Sequence, residues 1–155
     1  VLYELAGGPP EGRRIKAWWP GGSSAKVLTE ADVDVGTDME ALAAAGSMGG
    51  SGGVMVMDDS HNIVKAAHRL LKFYAYESCG KCTPCRIGGN WAERTLGRIL
   101  AGEGTAVDLQ ILDRVSQGLQ NGRCLCGLGD AAGWVIESTL TKFRADYEAM
   151  VAVRV

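Results

Sequence analysis

The stretch Glu77-Ser78-Cys79-Gly80-Lys81-Cys82-Thr83-Pro84-Cys85-Arg86 places three thiols at C-x2-C-x2-C spacing. It runs into Thr83-Pro84, a pair suited to cap and open a helix. Working outward, an amphipathic helix is predicted on each side. Before the stretch, Asp58-Asp59-Ser60 are good N-caps. After them Ile63, Ala66, Ala67, Leu70, Leu71 and Tyr74 follow i, i+3, i+4, i+7, i+8, i+11, one continuous helical face. After the stretch, a second helix runs from Pro84 to Leu100 and stops at Gly102. A third carries Leu109, Leu112, Val115 and Leu119 and ends near Asn121-Gly122. A fourth, capped by Asp130, sets Ile136, Leu140, Phe143, Tyr147 and Met150 on one side. Four such helices with short connections predict a four-helix bundle over residues 58–155. In an up-and-down bundle, the loop holding Cys79, Cys82 and Cys85 and the loop holding Cys124 and Cys126 lie at the same end.

Residues 1–57 have a different texture, glycine-rich and strand-like. Arg14-Ile15-Lys16-Ala17-Trp18 reads as a short strand entering the turn Pro20-Gly21-Gly22, and Gly53-Val54-Met55-Val56-Met57 as a second apolar strand. Asp38-Met39-Glu40-Ala41-Leu42 opens a short helix. The fold class is therefore α+β, a small mixed unit followed by the helical one. Gly46-Ser47-Met48-Gly49-Gly50-Ser51-Gly52-Gly53 is a candidate phosphate cradle, but it matches no dinucleotide or Walker pattern followed by a helix, and turns are the favoured reading.

Three thiols repeated every third residue on a looping backbone can each face a different iron of one cubane. A fourth ligand must come from elsewhere, and Cys124 and Cys126 are the remaining candidates among the five cysteines. Four cysteines complete a [4Fe–4S] cluster. The setting suits that anionic group: Lys81, Arg86 and Arg123 are basic neighbours, the second helix points its positive end at the loop, and Gly80 permits close backbone approach. An all-cysteine zinc site uses the same donors but usually draws them as two separated CxxC pairs. Five cysteines, three of them within seven residues, make a poor disulfide framework and fit a reducing compartment. Sixteen basic against eighteen acidic residues give no electrostatic case for nucleic acid. No apolar run reaches the roughly 20 residues of a membrane span, and VLYELAGGPP is no secretory signal.

The histidines His61 and His68 lack a third ligand or a nucleophile, so neither is expected to be catalytic. Trp18, Trp19, Trp91 and Trp134 are expected in the core or at interfaces, with Trp91 near the cluster. Glu77 is expected to hold the cysteine loop.

ESCGKCTPCR (Glu77–Arg86) followed by CGLGDAA (Cys126–Ala132) resembles the flavin-containing, NADH-oxidising subunit of respiratory complex I. It also resembles the matching subunits of NAD-linked hydrogenases and formate dehydrogenases. GSGGVMVMDDS (Gly50–Ser60) is similar to the segment joining that family's β-grasp-like domain to its cluster domain. The resemblance implies a β-grasp-like unit over residues 1–57 and a helical [4Fe–4S]-binding domain over 58–155. It implies the ligand set Cys79, Cys82, Cys85 and Cys126, with Cys124 a spare thiol where the family often has a small hydroxyl residue. It implies an electron-transfer module of a multi-subunit NADH dehydrogenase (an NADH:quinone oxidoreductase), relaying electrons from FMN through the cluster to further iron–sulfur centres. FMN and NADH are expected on an upstream domain or partner, not on this chain. The expected partners are other iron–sulfur subunits and the FMN/NADH-binding domain, with no nucleic acid and no direct membrane insertion. The expected location is cytoplasmic, peripheral on the inner face of a membrane through those partners. The alternatives are a diaphorase subunit of a hydrogenase or formate dehydrogenase and, from another class, a zinc-stapled interaction module.

Overall fold

The computed structural model describes residues 1–151. They form six α-helices and one small three-stranded sheet, in two compact units, Val1–Asn62 and the residues from Ile63 onward.

In the first unit β1 (Ile15–Trp19) is the central strand, flanked antiparallel by β2 (Leu28–Thr29) and β3 (Met55–Asp58) in the order β2-β1-β3. Trp18 stands opposite Leu28 on one side and Val56 on the other. The two-residue strand β2 has no alternating pattern of its own and was not expected from the sequence; pairing with β1 creates it. Helix α1 (Met39–Ala44) begins where expected, with the Asp38 carboxylate accepting from the Ala41 N–H at 2.9 Å. Leu42 from that helix joins Leu2, Ile15, Trp18 and Leu28 in the core. Burying an indole withdraws about 200 Å² from water, or about 5 kcal/mol at 25 cal/mol per Å². The Trp18 and Trp19 Nε1 groups have no protein partner, which returns about 1–3 kcal/mol each.

The Gly46–Gly53 segment shows why its glycines are there. A Cβ at Gly21 would meet the Met48 carbonyl oxygen at 2.7 Å and the Gly50 nitrogen at 2.8 Å. Two backbones cross with nothing between them, and this supports the turn reading over a phosphate cradle.

The unit boundary falls at Asn62/Ile63, five residues later than the expected 57/58. Asp58 is still paired to Ile15, and the Asp59 N–H donates to the Arg14 carbonyl at 3.0 Å. Asp58-Asp59-Ser60 do not cap the next helix as expected. The Asp58 carboxylate instead closes a turn, accepting from the Ser60 hydroxyl at 2.5 Å and the Ser60 N–H at 2.9 Å and lying 2.7 Å from His61 Nδ1. These bonds, the Ser60 hydroxyl first, hold its carboxyl at about 2 against the usual 3.8.

The second unit contains α2 (Ile63–Glu77), a π-turn (Pro84–Gly88), α3 (Gly89–Leu100), α4 (Ala106–Leu119), α5 (Gly127–Lys142) and α6 (Arg144–Glu148). Helix α2 packs on α3 and α5, and α4 packs on α3 and α5, so each of the four long helices has two neighbours. Ile63, Val64, Ala67, Leu71 and Tyr74 bury one face of α2, close to the expected set, with Val64 added and Ala66 and Leu70 at the margin. The start of α4 is fixed by Asp108, which is buried, accepts from the Thr105 N–H at 2.8 Å and hydroxyl at 3.0 Å, and takes the Arg98 guanidinium from the end of α3.

Two expectations are corrected. The predicted fourth helix is broken at Phe143 (φ −123, ψ 36) into α5 and α6. Residues eight apart on a straight helix stand about 12 Å apart along its axis. The break folds α6 back, so that the buried Tyr147 hydroxyl lies 2.7 Å from Thr139 Oγ1. Burial pushes the Tyr147 phenol above its usual range, so it stays neutral. Helical periodicity at Phe143, Tyr147 and Met150 continues through the break and hides it.

The predicted second helix opens not with an α-turn capped by Thr83 but with the wider π-turn. Thr83 is itself helical (φ −57, ψ −45) and makes no capping bond, while Pro84 does take the first position. The Asn90 side-chain amide donates to the Arg86 carbonyl at 2.7 Å, satisfying an acceptor in this wider turn.

Candidate metal centre

Two loops at one end of the helical unit carry all five cysteines. The first runs from the end of α2 into the π-turn, which holds Cys85, and the second, residues 120–126, joins α4 to α5. Cys79, Cys82, Cys85, Cys124 and Cys126 line one cavity of about 90 Å³ together with Glu77, Ser78 and Leu128. None forms a disulfide; Cys79 and Cys126 are exposed and the other three half-buried.

The first loop is shaped by its own side chains. Gly80 takes φ +77, a conformation that any side chain would strain. The Arg86 guanidinium reaches back to the Gly80 carbonyl and lies 3.4 Å from Thr83 Oγ1. Arg86 therefore clamps the loop as well as lending charge to it. Ser78, which sequence reasoning passed over, places its hydroxyl 3.2 Å from Cys85 Sγ and accepts the Gly80 N–H at 3.4 Å. Its signal was a small hydroxyl residue immediately before a turn, a position where such side chains bond to nearby groups.

The second loop meets the first through its backbone. The Leu125 N–H donates to Cys82 Sγ at 3.2 Å across 43 residues of sequence, while the Leu125 side chain is 83% exposed. Cys126 is the extended N-cap residue of α5. Asp130, expected to cap that helix, lies in its first turn and accepts the Gly122 N–H at 3.3 Å, tethering the loop instead. Cys124 lies against the bare Cα of Gly129, where a Cβ would meet its Sγ at 2.5 Å. Burial pushes the Cys124 thiol up, the charges of nearby Cys85 and Cys82 act in the same direction, and a hydrogen bond from the Cys85 backbone opposes them.

The donor set fits an iron–sulfur group. Five free thiols share one cavity, and N–H and O–H donors lie on two of the sulfurs. Among the described residues no three His, Cys, Asp or Glu side chains converge to hold a single ion. A tetrahedral zinc with Zn–S near 2.3 Å needs its sulfurs about 3.8 Å apart. A polynuclear cluster takes each thiolate on a separate iron and tolerates a wider spread.

The other residues singled out lie elsewhere. His68 Nε2 is 3.1 Å from Glu93 Oε1, joining α2 to α3, and His61 belongs to the Asp58 turn. Trp91, expected near the cluster, is 51% exposed and lines an apolar groove with Thr83, Pro84, Ile87, Ile111 and Val115. Trp134 is half-buried. No helix of the described residues is long and apolar enough to cross a membrane.

The family model described as "NADH-ubiquinone oxidoreductase-F iron-sulfur binding region" matches residues 65–150. An NADH-quinone oxidoreductase F subunit of Rhizobium meliloti (strain 1021), the second of that type by its name, is 48% identical over 154 residues, 99% of this chain and 36% of the relative. The NADP-reducing hydrogenase subunit HndC of Solidesulfovibrio fructosivorans is 43% identical over 97% of this chain and 31% of its own length. Among solved structures, an NAD+-reducing [NiFe]-hydrogenase in the H2-reduced state superposes with a TM-score of 0.75 at 30% identity, over 91% of this chain and 24% of that one. The chain spans about a third of the length of the curated relatives it matches.

Proposed function

The chain belongs to the NADH-ubiquinone oxidoreductase-F iron–sulfur binding family, and from that premise we propose that it is the electron-relay part of an NADH-oxidising flavoprotein subunit. The observation that carries this reading is the single cavity lined by thiols from two loops far apart in sequence. Cys79, Cys82, Cys85 and Cys126 would hold a [4Fe–4S] cluster there. When bound, such a cluster supplies reversible one-electron chemistry without bond-making in the protein.

The chain's own residues set the position and the surroundings. The Arg86 clamp fixes the first loop, and the Leu125 N–H ties the second loop to it at Cys82 Sγ. The Ser78 hydroxyl and the Leu125 N–H are the donors that stabilise negative charge on Cys85 and Cys82. Removing the Ser78 donor forfeits about 1 kcal/mol of preference for the more negative state. By the one-electron conversion this is about 40 mV. Ser78→Ala is therefore expected to lower the midpoint potential by about that amount with unchanged iron content, read by a potentiometric EPR titration.

FMN and NADH belong, on this reading, to a domain outside this sequence or to a partner chain, and the electrons leave toward further iron–sulfur subunits. The helical unit is a four-helix bundle with α6 folded back on it, supported by the two-neighbour packing of α2, α3, α4 and α5. The first unit is β-grasp-like, supported by the β2-β1-β3 sheet beside α1. The site of action is the cytoplasmic face of a membrane, reached through partners. The second reading, a diaphorase subunit of a hydrogenase, is favoured by the likeness to HndC and to the [NiFe]-hydrogenase structure. Co-purifying subunits separate the two, a membrane arm for the first and a nickel-containing subunit for the second.

The test is anaerobic purification of the native complex. The expected sample is brown, bleaches with dithionite, and holds about four irons and four sulfides in this chain. A colourless chain with one zinc would defeat the proposal.

A further inference from the structure

The second loop presents two thiols where the proposed cluster needs one. Leu125 points out at 83% exposure while its N–H docks on Cys82 Sγ. Cys124 and Cys126, on either side of it, both line the cavity. Cys124 is also the more sheltered of the two, half-buried against α5 where Cys126 is exposed.

Room has been made for it. Gly129 lies in the first turn of α5, and any Cβ there would collide with the Cys124 sulfur and with its Cβ at 2.9 Å. Upstream, Asn121 and Gly122 take φ +62 and +70, and residues 120–126 belong to no helix or strand.

We propose that Cys124 is a reserve ligand, able to take the fourth iron when the Cys126 thiolate is lost. The inference rests on the cluster reading above and adds a ligand to it. The exchange is redox-neutral: the iron–sulfur bond to Cys126 breaks as that sulfur bonds to the carbon of an alkylating agent, whose leaving group departs as an anion, and an iron–sulfur bond to Cys124 forms as Cys124 releases its proton. By this arrangement the site survives alkylation of its most exposed second-loop thiol.

The experiment uses the native complex with this chain as wild type, Cys124→Ala, Cys126→Ala, Cys126→Ser and the Cys124→Ala/Cys126→Ala double. Iron and sulfide, the EPR spectrum of the reduced sample, and iodoacetamide labelling without denaturant are read for each. Wild type and Cys124→Ala are expected to share one EPR spectrum and about four irons, with Cys124 labelled in wild type. Both Cys126 variants are expected to keep about four irons, with shifted g-values and with Cys124 now protected from iodoacetamide. The double variant loses the fourth iron or the whole cluster. Loss of the fourth iron from both Cys126 variants overturns the proposal. So does retention of the wild-type spectrum in a Cys126 variant when Cys124→Ala loses iron, which makes Cys124 the resident ligand. Absence of iron from wild type defeats the cluster reading itself and is distinguished from both.

Discussion

Cys85→Ala is expected to empty the site, with iron and sulfide falling from about four to less than about one per chain and the visible absorption lost. Unlike Cys126, Cys85 has no second thiol two residues away; it sits in the π-turn, with Pro84 before it and the Asn90–Arg86 bond after it. The other two thiols of the first loop, Cys79 and Cys82, are assigned as ligands already and cannot replace it. Stability should fall with the cluster, because the cluster cross-links two loops. Cys85 and Cys126 are 41 positions apart. In the chain-entropy account, a cross-link closing about 40 residues contributes about 4 kcal/mol. At about 2–4 °C per kcal/mol for a chain of this size, the melting temperature drops by about 10 °C. Metal analysis and a thermal melt of the same preparation read both effects. A variant that keeps its iron sinks the ligand assignment, and one that loses its iron without losing stability sinks the cross-link account.

The second large effect comes from the seam between α4 and α5. Gly133 faces α4, and a Cβ there would meet Gln120 Cγ at 2.5 Å, the Ser116 carbonyl oxygen at 3.0 Å and Leu119 Cβ at 3.2 Å. The Gln120 side chain can swing away, but the Ser116 oxygen is backbone and cannot. Gly118, on α4, has nothing within 4 Å of its Cβ position. The two helical glycines should therefore respond with opposite sign. Gly118→Ala gains about 1 kcal/mol of helix propensity. Gly133→Val overpacks the seam and loses about 3 kcal/mol, or about 6–12 °C in melting temperature. Because α5 starts at the cysteine loop, forcing it away from α4 also pulls Cys124 and Cys126 from the first loop, and iron content should fall as well. Thermal melts of the three proteins give the comparison. A Gly133→Val chain as stable as wild type would refute the close approach.

The parts of this fold that were legible in the sequence are those governed by local periodicity and local chemistry. The faces of α2 and α4, the Asp38 cap and the C-x2-C-x2-C loop all depend on residues within a few positions of one another. The meeting of the two cysteine loops was also legible, since four consecutive helices with short connections put alternate loops at one end. Three features were not. Strand β2 exists only because β1 offers it a ladder. The break at Phe143 exists because Tyr147 finds Thr139, and apolar spacing runs on through it undisturbed. Asp130 looked like a cap because its type and position suit one, but its carboxylate takes the Gly122 N–H from the preceding loop instead.

The cysteine site divides along the same line. That thiols are the candidate donors, three from one loop and the rest from another, follows from their count and spacing, because covalent spacing limits what one loop can present to one cluster. That both second-loop thiols line the one cavity was decided only by the tertiary structure. Both thiols line one cavity, Cys82 accepts the Leu125 N–H between them, and the bare Cα of Gly129 leaves space for the Cys124 sulfur. Each of these depends on what α5 and the first loop place opposite residues 124–126, and no local pattern encodes that.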